Sequence, residues 1–140
     1  MIHFRESRQE PDGSWTFFGV PILAAQPGID GEWMERAIAH GAERERDGFG
    51  YLAPLHLRGV SLDQRTCVGF VRLVGTDEGE TGLRLLADFV GVTEAGARAI
   101  KDPRCIVSAE VFDIRRSARI DCVALVPFAM QPDLDKSPAK

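Results

Sequence analysis

The strand-like segment RCIVSAEVF, from Arg104 to Phe112, carries a hydroxyl and a carboxylate inside an apolar, β-branched run. Side chains alternate between the two faces of a β-strand, so Ser108 and Glu110 fall on one face and Cys105 on the other. The alternation predicts Cys105 to be a small buried hydrophobic residue. Ser108 is then either a tolerated polar residue on a wet face or a nucleophile whose partners lie elsewhere in the chain.

A serine becomes a nucleophile when a general base, usually an imidazole, removes its proton. The chain has three histidines, at positions 3, 40 and 56. His56 is the best candidate base, because it lies where the predicted strand GYLAPLHL enters a polar loop. The alternative is a structural histidine bonded to a backbone carbonyl. His40 closes a charged helix and is predicted to lie on the surface, and His3 lies in the terminal segment.

Composition narrows the classes of function. The chain has 140 residues and a net charge near −4, which argues against nucleic acid or an anionic membrane as a partner. No apolar run approaches the roughly 20 residues of a membrane span, and MIHFRESRQE lacks the apolar segment of a signal peptide. Three cysteines without CxxC spacing and scattered histidines predict reduced thiols in a cytoplasmic protein, with no metal site and no cofactor.

Strand and helix signals run through most of the chain. Asp30 is predicted to cap a helix with an apolar stripe that includes Trp33, and Thr93 to cap a short helix that stops at Asp102-Pro103. The acidic sequence GTDEGET is predicted to be the turn of a hairpin. The predicted strands are Ile2–Arg8, Ser14–Leu23, Gly50–Leu57, Cys67–Val74, Gly82–Val90, Arg104–Ile114 and Ile120–Ala129.

These elements predict an α+β fold, a mainly antiparallel β-barrel or strongly curved sheet with two or three short helices. At this length we expect one domain over residues 1–130. Residues 131–140 are polar and predicted to form a disordered tail.

Six landmarks occur in order between Pro54 and Pro127, over more than half of the chain. They are PLH ending in His56, VGFVRL from Val68, GLRLLA from Gly82, TEAGARAI from Thr93, VSAEVF with Ser108, and CVALVP ending at Pro127. In this series, residues 49–127 resemble the prohead (capsid maturation) serine proteases of tailed bacteriophages, which are related in fold to the herpesvirus assemblins. The sequence departs from that pattern at Leu55, where the family often has an acidic residue, and at Ala109, where it often has Gly-Phe or Pro.

The resemblance implies a role for each candidate residue. His56 matches the general base and Ser108 the nucleophile, and a third group should hold the imidazole in the right tautomer. Asp121 is the first choice for that group, although it lies about one position out of register with the acidic residue of the family. Glu110 is better suited to a substrate-binding or supporting role than to orienting the imidazole. It lies two residues from Ser108, and side chains at i and i+2 of a strand are roughly 6–7 Å apart. The basic turn that follows the nucleophile strand offers candidates to stabilise an oxyanion: Arg115, Arg116 and Arg119.

The resemblance also implies a setting. It predicts an endopeptidase that cleaves phage scaffold and major capsid protein inside the prohead, in the host cytoplasm, and that associates with itself. Two alternatives stay open: an inactive module of the same fold that acts in capsid assembly, and an unrelated small β-barrel binding module.

Overall fold

The computed structural model describes residues 1–45, 53–59, 65–111, 114–115 and 117–131. The elements, in chain order, are β1 (Glu6–Gln9), β2 (Trp15–Ala24), α1 (Gly31–Arg44), β3 (Ala53–Arg58), β4 (Arg65–Gly79), β5 (Gly82–Val92), α2 (Glu94–Lys101), β6 (Ile106–Glu110) and β7 (Cys122–Val126). A short 3-10 helix, Phe128–Met130, follows β7.

The strands form one seven-stranded sheet in the order β1-β2-β5-β4-β3-β7-β6. All neighbouring pairs are antiparallel except β3 and β7, which run parallel. The sheet curls strongly, so that β6 at one edge approaches β2 near the other. This half-barrel confirms the predicted α+β class and the strongly curved sheet, with one parallel pair that makes the sheet mixed.

Both predicted helix starts are confirmed. The carboxylate of Asp30 accepts a hydrogen bond of 2.9 Å from the backbone N–H of Trp33 at the start of α1. The hydroxyl of Thr93 accepts one of 3.2 Å from Gly96 N–H at the start of α2. None of the helices described is long and apolar enough to cross a membrane.

The β4–β5 hairpin is longer than the sequence predicts. Its strands continue through most of GTDEGET to pair Gly79 with Gly82, leaving Glu80 and Thr81 at the turn. Asp77 and Arg84 hold this extension, because their side chains form two parallel hydrogen bonds of 2.8 Å. The predicted acidic turn is therefore mostly strand.

The hydrophobic core lies between the concave side of the sheet and the two helices. Its largest fully buried side chains include Trp33 and Met34 of α1 and Phe17, Phe89, Leu55 and Leu125 of the sheet. His40, near the end of α1, is half-buried, not plainly on the surface, since it lines a cavity of about 80 Å³ against β3 and β4. Its Nε2 is buried and has no hydrogen-bond partner among the residues described.

Candidate active site

His56 and Ser108 lie in one row across three neighbouring strands. His56 of β3 is paired with Ala124 of β7, and Ala124 is paired on its other side with Ser108 of β6. Residues paired across neighbouring strands share a face of the sheet, so the imidazole and the hydroxyl project from the same face. Strands lie about 4.8 Å apart, which places the two Cα atoms at roughly 10 Å. On that face Ala124 is the residue of β7 that lies between them.

This face is opposite the hydrophobic core. Every residue of β7 is buried, but only Val123 and Leu125 belong to the core cluster. Their neighbours in β3 and β6 that face the core are Leu55, Leu57, Val107 and Ala109. The alternate residues of β7, including Ala124, are covered by the side chains of the opposite face, which we call the site face. It carries Arg58, His56, Arg65, Cys67, Ser108, Glu110 and Cys122.

The imidazole and hydroxyl do not bond each other in this structure. Ser108 is exposed and His56 is half-buried. Within the described ranges neither side chain has a hydrogen-bond partner, and Nδ1 of His56 is buried. In enzymes without substrate, catalytic hydrogen bonds are often long and shorten when substrate binds. Side-chain rotation alone does not span roughly 10 Å between Cα atoms, so contact also requires the strands to move closer.

Asp121 is not brought to His56. It lies three residues before Ala124, so strand alternation directs its side chain away from the site face. Its carboxylate instead accepts hydrogen bonds from Arg119, at 3.1 Å from Nε and 2.9 Å from Nη2. Asp121, which the resemblance makes the orienting carboxylate, therefore forms a local ion pair with Arg119.

Glu110 is held by a residue that the sequence does not single out. Its Oε2 accepts hydrogen bonds of 2.8 Å from Arg65 Nη1 and 2.9 Å from the thiol of Cys122. The bond to Arg65 is the main reason that the pKa of Glu110 lies below its ordinary value. Arg65 starts β4, and its side chain crosses over β3 and β7 to reach β6.

The three thiols have different environments. Burial raises the pKa of Cys105 to about 11, which supports its prediction as an inert hydrophobic residue. Burial, together with Glu110, raises the pKa of Cys122 to about 12. Cys67 is exposed and directly opposite His56 on the neighbouring strand. The sequence did not indicate this neighbour, because the pairing of β3 with β4 is long-range and contains a bulge at Val68.

The described arginines of the basic turn after β6 do not reach the row. Arg115 is exposed in a turn, Arg119 pairs with Asp121, and Arg116 lies outside the described residues. In the part of the chain that the structure covers, no three His, Cys, Asp or Glu side chains converge as a metal site requires. The site face therefore offers an imidazole, a hydroxyl, an exposed thiol, a carboxylate and two arginines as its chemistry.

Comparison with known proteins gives no match: no family model, no curated protein and no solved structure is significantly similar to the chain.

Proposed function

We propose that the chain is a serine endopeptidase of the prohead maturation type, which cleaves phage scaffold and major capsid protein in the assembling head. The observation that carries the proposal is the row His56–Ala124–Ser108 on one face of the sheet. It agrees with the roles that the sequence resemblance assigns to the first and third of these residues. The proposed place of action is the prohead in the host cytoplasm, and self-association belongs to the same proposal.

In the proposed reaction, the hydroxyl of Ser108 attacks the scissile carbonyl while Nε2 of His56 takes its proton. His56 then protonates the leaving amine, and water hydrolyses the acyl-enzyme by the same path in reverse. For this step the imidazole and the hydroxyl must come closer above Ala124, and the Arg65 side chain that crosses β7 must make room for them. Backbone N–H groups or an arginine of the site face would stabilise the oxyanion.

A second function is favoured by one observation. Nδ1 of His56 is buried and has no carboxylate or other partner among the residues described. A working triad orients the imidazole through this atom. The alternative is therefore an inactive module of the same kind that acts in capsid assembly.

Labelling by a fluorophosphonate tests the nucleophile directly. We expect the wild type to be labelled, and Ser108→Ala and His56→Ala to lose the label. The matched controls Ser7→Ala, on β1, and His40→Ala, on α1, change residues outside the three strands of the row and should keep it. Equal labelling of the wild type and Ser108→Ala would exclude Ser108 as the reactive group.

Co-expression separates the two functions. An active protease cleaves the scaffold and capsid proteins encoded with it, and Ser108→Ala abolishes the cleavage. A folded wild type that is neither labelled nor able to cleave would identify the inactive module.

A further inference from the structure

Two arginines lie directly opposite each other on the site face. Arg58 ends β3 and is paired with Arg65, the first residue of β4. Like charges opposite each other on neighbouring strands are destabilising unless an anion lies between them or beside them. A pair of guanidinium groups at this place therefore requires compensation.

Only one of the two arginines forms an ion pair or a hydrogen bond within the described residues, although the charge of Arg58 also acts on Glu110. Arg65 forms an ion pair of 2.8 Å with Glu110. Arg58 is half-buried, its Nε is buried, and it has no hydrogen bond or ion pair with any residue that the structure describes. An unpaired donor that has lost its water is costly, and more so when it is charged.

Arg58 is close to the proposed general base. Arg58 is two residues from His56 on the same strand face, so the two side chains lie roughly 6–7 Å apart. The row of Arg58 continues across β7 to Val126 and then to Ile106, two residues before Ser108. An anion on Arg58 would thus lie one to two residues of extended peptide from the scissile bond.

We propose that Arg58 binds the carboxylate of an acidic side chain in the peptide substrate, next to the bond that Ser108 attacks. The proposal rests on the proposed function for the identity of the substrate. A guanidinium presents a planar fork of N–H donors that matches a carboxylate in two parallel hydrogen bonds. Glu110 forms its ion pair with Arg65 and interacts with Arg58 through charge alone, so Arg58 is the arginine whose N–H donors can bind the substrate.

Binding can be measured without catalysis in a Ser108→Ala background. Two blocked peptides, acetyl-Ala-Ala-Glu-Ala-Ala-amide and its Gln counterpart, are titrated while NMR follows the Nε–Hε signals of the arginines. We expect the Glu peptide to shift the Arg58 signal and to bind roughly tenfold more tightly than the Gln peptide. Arg58→Gln should remove this preference, and the control Arg5→Gln, at an exposed position, should retain it.

A second variant tests the same proposal through a gain in affinity for the Glu peptide. Glu110→Gln releases Arg65, so the Glu peptide should bind several-fold more tightly than it binds the Ser108→Ala protein. Equal affinities for the two peptides, or a preference that survives Arg58→Gln, would overturn the proposal. Inorganic phosphate that shifts the Arg58 signal and competes as well as the Glu peptide would also overturn it, because the site would then be a general anion site. Since no arm requires turnover, failure here is distinguishable from failure of the protease activity.

Discussion

Glu110 occupies an unusual place for a carboxylate near a candidate nucleophile. It shares the strand and face of Ser108, but it bonds Arg65 and Cys122 and not the imidazole. One strand, β7, lies between it and the strand of His56. Glu110 therefore fixes the guanidinium of Arg65 over the site face. Protonation of Glu110 should release Arg65, and so change the structure of the site face as well as its charge.

Acid should weaken the fold through Glu110. Because Arg65 holds the folded-state pKa of Glu110 below the unfolded value, this carboxylate stabilises the fold fully above a pH of about 4.3 and loses that contribution as pH falls through the folded pKa. We expect Glu110→Gln to be less stable than wild type in urea unfolding at pH 7, and the difference to shrink towards pH 3. A difference that grows on acidification would contradict the assignment.

Sequence reasoning reaches part of this arrangement. Alternation along one strand is a local property, so it placed Ser108 with Glu110 and put Cys105 in the core. Arg58, Arg65 and Cys67 were not singled out, because their closeness depends on which strands pair. The order β4-β3-β7-β6 joins segments distant in the chain and includes a parallel pair. No local pattern encodes that order.

Two glycines in the helices test how closely each helix packs. A Cβ on Gly96 of α2 would lie 2.8 Å from Val92 Cγ1 and 3.0 Å from Val68 Cβ, both on stiff β-branched side chains. We expect Gly96→Ala to destabilise by about 1–3 kcal/mol, since overpacking outweighs the better helix propensity of alanine. Gly41 of α1 has nothing within 4 Å of such a Cβ. Gly41→Ala should therefore stabilise by about 0.5–1 kcal/mol.

Urea unfolding of the two variants beside wild type measures both effects. Opposite signs are the expected result, because the propensity change is the same and only the surroundings differ. Two variants of equal stability would mean that α2 does not pack on β4 and β5 as closely as the structure places it.

Helix starts were predictable to the residue, and strand ends were not. Asp30 and Thr93 act through short-range hydrogen bonds that their own sequence specifies. The far end of the β4–β5 hairpin depends on the pairing of Asp77 with Arg84 across the turn. That ion pair lets acidic, turn-like residues continue as strand, which overrides their local preference.

At the scale of the whole molecule, the two faces of one curved sheet have different roles: one face forms the hydrophobic core and the other carries the candidate site. Its concave side packs against the helices as a core, and its other side carries the polar row and the arginines. Period-two alternation in β3 and β6 divides these tasks between neighbouring residues. The curvature was predictable from the number of strands and turns, whereas the half-open shape depends on how closely β6 approaches β2.

The two neighbours Leu55 and His56 allow this division to be tested within one strand. Leu55 is fully buried in the core, so Leu55→Ala should lower the free energy of unfolding by about 2–5 kcal/mol. His56 is half-buried and has no hydrogen bond within the described residues, so His56→Ala should change it by less than about 1 kcal/mol. Fluorophosphonate labelling of the folded proteins should show the reverse order, with the label retained in Leu55→Ala and lost in His56→Ala. If His56→Ala unfolds the protein as Leu55→Ala does, His56 is a structural histidine, and the row loses its candidate base.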